Sequence, residues 1–310
     1  MKPVTFALLS TIPLVLSLSG CSTGNAESSP SGRPAVLRYA FAPSVEEPQA
    51  QELRLDHLKK YLSDRLHVDV ELYKTSAGYG TVIEGLRAHK IDVGTLGPFG
   101  YLIASEKAGA EVLTVTGEPD TGKGGYRGVI AVPASSPIKT IDDLLAHSRE
   151  LTFSFVDPAS TSGFLVQRAY FQSRGLDPDK EFKKTMFSMN HIASAMTLVA
   201  GKVDAAAMME NMPKQLAERG LAKPSDFRIL WTSPHLPSSP IVVRRDLPVD
   251  FKRDIRQALV DIPKADPELW KMWPKMNRTP TAVLIPGNDA MFDELRAMAR
   301  DVKNLSLLEQ

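Results

Sequence analysis

The sequence predicts an α/β protein folded into two lobes, with crossings of the chain between them that can serve as a hinge. Three observations lead there. From residue 36 onward, short apolar runs of strand length alternate with helical stretches whose apolar residues recur every three or four positions. A short internal echo pairs Ala88 to Gly94 (AHKIDVG) with Ala200 to Ala206 (AGKVDAA), each a helix end, a Lys, a branched apolar residue, an Asp and the start of a small-residue strand. Two further strand-like runs, Gly128 to Pro133 and Ile241 to Arg244, stand where the chain would pass between lobes. Two lobes of one plan would turn their strand ends and helix starts toward a shared crevice.

Met1-Lys2-Pro3 and the uncharged stretch Val4 to Gly20 read as a secretory signal. That stretch contains Pro13 and is shorter than the ~20 apolar residues of a spanning helix. Leu18-Ser19-Gly20-Cys21 looks like a bacterial lipobox, in which Cys21 is lipidated and becomes the first mature residue. Cys21 is the sole cysteine, so an internal disulfide is excluded. Residues 21–35 are small, polar and free of aromatics, the composition of a tether. The expected layout is a signal at 1–20, a tether at 21–35, lobe 1 from 36–131 plus 241–310, and lobe 2 from 132–240. The protein is expected in the cell envelope, lipid-anchored at a membrane and facing the periplasm or exterior.

Val36 to Phe41 predicts the first buried strand, and 49–66 a helix with Leu55, Leu58, Leu62 and Leu66 on one side. Val68, Val70 and Leu72 alternate as a strand, Tyr79 to His89 predicts a helix, and Ile91 to Leu96 a short strand. In the second lobe Thr140 is placed to cap a helix over Ile141 to Ala146, with Asp142 and Asp143 in its first turn. Leu151 to Val156 predicts a strand. Helices over 251–262 and 290–302 are assigned to the first lobe.

Lys+Arg number 37 against 36 Asp+Glu, and loss of Lys2 with the signal leaves them equal. A nucleic-acid surface is therefore not expected, because charges alternate along helix faces rather than forming a basic stripe. The six histidines are scattered without metal-ligand spacing, and no Walker A or G-x-G-x-x-G run is present. No cofactor is expected.

The most informative segment is Asp157 to Leu165 (DPASTSGFL), which puts Ser160, Thr161 and Ser162 at a predicted helix start directly after a strand. The first N–H groups of a helix have no internal partner and carry its positive end, and hydroxyls add donors without charge. One such hydroxyl would ordinarily be a cap. Three beside a glycine suit a tetrahedral oxyanion.

That run, with Gly128 to Leu144 (GVIAVPASSPIKTIDDL) before it and His191 and Val203 to Ala206 after it, resembles the phosphate/phosphite/phosphonate-binding proteins of ABC transporters. The resemblance extends from Leu37 to about Leu247 and includes Tyr79 to Glu84 (YGTVIE) and Leu96 to Tyr101 (LGPFGY). It implies a two-lobed periplasmic-binding fold of the type II, Venus-flytrap kind, monomeric, closing on a small oxyanion and docking on an ABC permease. Ser160, Thr161 and Ser162 would hold the ligand oxygens with hydroxyls and N–H groups, Tyr79 would donate its phenol from the other lobe, and His191 would donate a ring N–H. In relatives that bind aminoalkylphosphonates, acidic residues receive the ammonium. Here one such position falls on Glu210 or Asn211, and the other is Ser239 in SPHLPSSP. A missing carboxylate leaves a buried ammonium short of a partner, so the ligand is expected to lack an amine. Met208 and Met209 are read as core, and Tyr101 and Tyr126 as packing.

The residues admit two other readings. Ser160 or Ser162 with His191 could form a nucleophile and base acting on phosphate esters, but no G-x-S-x-G elbow, no S-x-x-K and no acid orienting His191 is evident. No enzymatic activity is expected. A sensor or scaffold lipoprotein with the same fold is the other alternative.

Overall fold

The computed structural model describes residues 32–41, 48–75, 78–273, 281–303 and 305; the expected signal, Cys21 and nearly all of the tether lie outside them. The first part of the chain forms β1 (Val36–Phe41), α1 (Pro48–Leu66), β2 (Asp69–Lys74), α2 (Gly80–Arg87), β3 (Val93–Thr95), α3 (Pro98–Ala108) and β4 (Ala110–Gly117). The middle forms β5 (Gly128–Pro133), α4 (Ile141–Ala146), β6 (Thr152–Phe155), α5 (Val166–Ser173), α6 (Pro178–Glu181), β7 (Lys184–Phe187), α7 (His191–Val199), β8 (Ala205–Met209), α8 (Met212–Glu218) and β9 (Phe227–Thr232). The chain then supplies β10 (Pro240–Arg244), α9 (Val249–Ala265), α10 (Pro267–Met272), β11 (Val283–Pro286) and α11 (Asp293–Asp301).

Among the described residues the strands make two sheets, ordered β11-β4-β10-β3-β1-β2 and β7-β6-β8-β5-β9. The orders correspond strand for strand, β2-β1-β3-β10-β4 against β7-β6-β8-β5-β9. The pairings match in direction as well, parallel across the first three strands and antiparallel at the last two steps. The molecule is two lobes of one plan.

The sequence echo falls at equivalent places, just before β3 and β8. Asp92 Oδ2 accepts the Arg38 N–H (2.8 Å) while its own N–H donates to the Arg38 carbonyl (2.8 Å). Asp204 repeats both bonds on Thr152, at 2.7 and 3.1 Å. His89 and Gly201 adopt the same left-handed turn, with φ of 56° and 65°. The repeated Asp pins each short third strand to the start of the first.

Gly128 to Pro133, expected to carry the chain between lobes, lies wholly inside the second sheet as β5, and Ile241 to Arg244 lies inside the first as part of β10. The passages are residues 118–127 and 233–239, bridged to one another at Tyr126 and Leu236. An interior antiparallel strand and a buried crossing are equally apolar, so hydropathy alone could not separate them. Each lobe thus receives one strand from chain that has just left the other.

Local signals place the helices. Thr140 and Asp143 form a reciprocal capping box on α4 (2.9 and 3.1 Å), and Asn190 caps α7 through the Ala193 N–H (2.8 Å). Pro98 opens α3 and Gly109 closes it in the left-handed region. Phe251, Ile255, Ala258, Leu259 and Ile262 give α9 one apolar stripe, buried with Leu55, Leu58 and Leu62 of α1 on one face of the first sheet. The opposite face packs α2 and α3 in a core that continues into the second lobe through Ala159, Phe164 and Phe171. The far face of the second sheet is covered by α7 and α8, where Met208 and Met209 are core as expected.

The tail assigned to the first lobe reaches both. Leu295, Ala299 and Val302 join the shared core, and the Gln172 side chain on α5 donates to Asp301 O (2.7 Å) and accepts from Lys303 N–H (2.9 Å). No helix among the described residues is long and apolar enough to cross a membrane.

Candidate functional site

Five loops at the crevice follow the carboxyl ends of parallel strands, the edge at which open α/β sheets bind ligands, and the two crossings between the lobes complete it. From the first lobe come Gly78-Tyr79 before α2 and Leu96-Gly97 before α3. From the second come Val156 to Ser162 after β6, Ser188 to Asn190 after β7 and Glu210-Asn211 after β8.

After β6, Asp157 makes a tight turn, accepting the Ala159 N–H (2.8 Å) on its carboxylate while its carbonyl accepts the Ser160 N–H (2.9 Å). Thr161 to Leu165 then coil as a single π-helical turn leading into α5, with Leu165 N–H donating to Ser160 O (3.0 Å). Single π turns widen the ladder and recur at functional sites. Ser160 is the cap, its hydroxyl accepting the Gly163 N–H (3.1 Å). The Thr161 and Ser162 N–H groups open the helix, with no intramolecular acceptor among the described residues. All three hydroxyl residues are buried.

Thr161 also reaches the other lobe: its Oγ1 accepts the N–H of Phe99 (2.8 Å), in the first turn of α3. Gly97 lies beside both groups: a Cβ there would stand 3.4 Å from Thr161 Oγ1 and 3.6 Å from the Tyr79 ring, ordinary contact distances. A hydroxyl that accepts one bond still has its O–H to give, so the Thr161 proton is directed away from Phe99. The starts of α3 and of the π turn face each other across the crevice, adding their positive ends at one point.

His191 is the first residue of α7. Its Nδ1 accepts the Met209 N–H (3.2 Å), which leaves Nε2 as the protonated nitrogen. Burial lowers its pKa from 6.5 to about 3, so at neutral pH the ring is an uncharged donor. The Tyr79 phenol is pushed well above its ordinary value by burial, then by the nearby Tyr126 and Asp157, and stays protonated. Asp157, buried, has its carboxyl raised by desolvation, opposed by the N–H groups of Ala159 and Tyr79.

Tyr126, read from the sequence as packing, does pack against both cores, and it also stands beside the hydroxyl run. Its phenol is raised by burial and faces the hydroxyls of Thr161, Ser162 and Ser239, which act in the opposite direction. A lone tyrosine in the Gly-rich run GKGGYRG has no periodicity to mark its direction; the Tyr126–Leu236 bridge between the crossings sets it. Tyr101 is packing as expected, against Phe292 (4.8 Å between centroids) with its hydroxyl on Asp289.

The structure therefore brings Thr161, Ser162, Tyr79 and Tyr126 together, with Ser160 beneath them as the cap. His191 stands on the second lobe, joined by its ring to the end of β8. Glu210 is exposed, its N–H on Arg127 O (3.0 Å), and Asn211 is half-buried with Oδ1 unpartnered among the described residues. Within the described residues, no cluster of His, Cys, Asp or Glu could hold a metal.

The family described as "ABC transporter, phosphonate, periplasmic substrate-binding protein" matches residues 40–284. The phosphonates-binding periplasmic protein of Escherichia coli is 30% identical over 226 residues, 71% of this chain and 66% of that one. Among solved structures, a binding protein component of an ABC phosphonate transporter from Pseudomonas aeruginosa superposes with a TM-score of 0.76 at 24% identity, covering 89% of each chain. PhnD1 from Prochlorococcus marinus, solved with methylphosphonate, gives 0.71 at 19% identity, covering 86% of this chain and 97% of that one. These likenesses show the two-lobed periplasmic-binding fold. The chain belongs to the phosphonate family of periplasmic substrate-binding proteins of ABC transporters.

Proposed function

We propose that this protein captures a small phosphorus oxyanion without an amine, namely phosphate, phosphite or a small alkylphosphonate, and delivers it to an ABC permease without chemistry. The observation that carries the reading is the cross-lobe meeting of Thr161 Oγ1 with the start of α3. It makes the anion cradle a property of the two lobes together, so a ligand can favour the closed form. The donors are uncharged: helix-start N–H groups, the hydroxyls of Thr161 and Ser162, the phenols of Tyr79 and Tyr126, and His191 Nε2. Hydrogen bonds to an ionised oxygen contribute ~1.5 to 3 kcal/mol each, so a few suffice for a dianion.

Ser239 supports the absence of an amine, since a hydroxyl faces the Tyr126 phenol where a carboxylate would receive an ammonium. Glu210 is exposed to water, a poor place from which to neutralise a buried cation. Cys21 as lipid anchor, Asn211 as a ligand contact and action as a monomer belong to the same proposal.

The test is calorimetric titration with phosphate, phosphite, methylphosphonate and 2-aminoethylphosphonate. Tight binding of at least one of the first three, with much weaker 2-aminoethylphosphonate, is expected. The reverse order would overturn the exclusion of an amine, and binding of none would overturn the oxyanion reading.

A further inference from the structure

The hydroxyl run is held by its own Ser160 and also from outside, by a side chain two residues into α5. Gln167 is completely buried. Its Nε2 donates twice, to Ser162 O (2.7 Å) and to Val129 O (3.2 Å) on β5, while Oε1 is buried without a partner among the described residues. An orphaned buried oxygen is costly, so the two bonds at the nitrogen end set the orientation of this amide. Two carbonyls facing one atom require an NH2 group; a hydroxyl or protonated carboxyl offers one hydrogen and a carboxylate none.

Ser162 O and Gly163 N–H belong to one rigid peptide plane. Gln167 holds its oxygen, and the Ser160 hydroxyl accepts from its nitrogen at 3.1 Å. The plane is clamped at both ends, and the residue it clamps presents a helix-start N–H and a hydroxyl to the crevice. Gly128 is the space that permits this, since a Cβ there would stand 2.7 Å from Ser162 O and 3.1 Å from Gln167 Nε2. Gly128 is in turn fixed to the return passage, donating to Ser233 Oγ (2.9 Å) and accepting from Ser233 N–H (2.8 Å). The brace runs from the base of the hinge, through Gly128 and Gln167, to the Ser162 peptide.

We propose that Gln167 is a positioning residue for oxyanion binding, holding the Ser162–Gly163 peptide so that the π turn keeps its donors directed at the ligand. This rests on the oxyanion reading above. The experiment compares wild type with Gln167→Glu and Gln167→Met in the mature protein. Two readouts are taken: amide hydrogen exchange over residues 160–166 without ligand, and calorimetry with methylphosphonate between pH 5 and 8.

Both variants should exchange faster across the turn and bind methylphosphonate about ten- to a hundredfold more weakly at pH 8. Relative to wild type at each pH, the Glu variant should recover toward pH 5 as its carboxyl regains one donor, while the Met variant should not. The Met variant keeps the volume and buries no charge, so it decides the question alone if the Glu variant does not fold. Wild-type exchange and affinity in the variants would overturn the proposal, as would a folded Glu variant that shows no recovery. A wild type that binds none of the oxyanions would strike the functional reading, and the exchange data would still decide the brace.

Discussion

At Thr161 one hydroxyl accepts from Phe99 of the opposite lobe and still has a proton to give, which the proposed function directs to a ligand. Thr161→Val preserves the shape and removes both, so oxyanion affinity should fall by roughly 1 to 3 kcal/mol while the fold survives. Calorimetry on the folded variant checks this, and undiminished affinity would remove Thr161 from the site. His191 gives a signed pH effect. Its folded pKa, about 3, lies below the unfolded 6.5, so between those values the unfolded chain takes up a proton that the folded one refuses. Its contribution is complete above 6.5 and declines as pH falls toward 3, by at most about 1.4 kcal/mol per pH unit. Asp157 is shifted upward and acts in the opposite sense, gaining stability as pH falls, so the comparison must be made between variants. Denaturation of His191→Gln between pH 6.5 and 4 should show a shallower decline than wild type; parallel curves would contradict a buried neutral ring.

The elements of the site differ in how far local sequence defines them. Thr140 with Asp143 is a cap that a four-residue window reveals, and the helix it starts is where the sequence places it; the Asn190 cap on α7 is as local, though not among the sequence expectations. The π turn is not visible in that way, because Thr161 to Leu165 carries no propensity for the wider ladder. It arises where Ser160, Gln167 and the Val156 N–H, donating to Gly163 O at 2.9 Å, hold the segment from outside. Ser160 shows the limit of reading a residue run as one unit. Ser160→Ala should lower stability by about 1 kcal/mol, as for a lost cap, and weaken ligand binding less than Thr161→Val does. A chemical-denaturation series beside the titrations separates the two; equal losses of affinity would place Ser160 among the ligand contacts.

Across the whole molecule the lobes touch at a second place, where the carboxylate of Asp157 meets Gly78 and Tyr79 of the first lobe. Gly78 has φ of 86°, and a Cβ there would lie 2.3 Å from Asp157 Oδ2 and 3.1 Å from the Met189 methyl. Gly78→Ala would therefore obstruct closure more than folding, beyond the ~1 to 2 kcal/mol that the left-handed backbone itself costs. Ligand affinity should drop several-fold more than stability. X-ray scattering at saturating ligand should show a larger radius of gyration than wild type; an equally compact complex would refute the obstruction.

Periodicity, caps and the Ala88/Ala200 echo pointed to two similar α/β lobes with the Asp157 to Leu165 turn between them, because a helix start and a buried strand are built from neighbours in sequence. Which strand lies in which sheet, the place of Tyr126 beside the hydroxyl run, the bridging position of α11 and the acceptor role of Thr161 were settled only by the fold. Those properties depend on partners far along the chain: Leu236 for Tyr126, Asp301 for Gln172 and Phe99 for Thr161. A hydroxyl in sequence is both donor and acceptor, and tertiary structure decides which of these is used within the protein, as Phe99 does by occupying an acceptor site of Thr161.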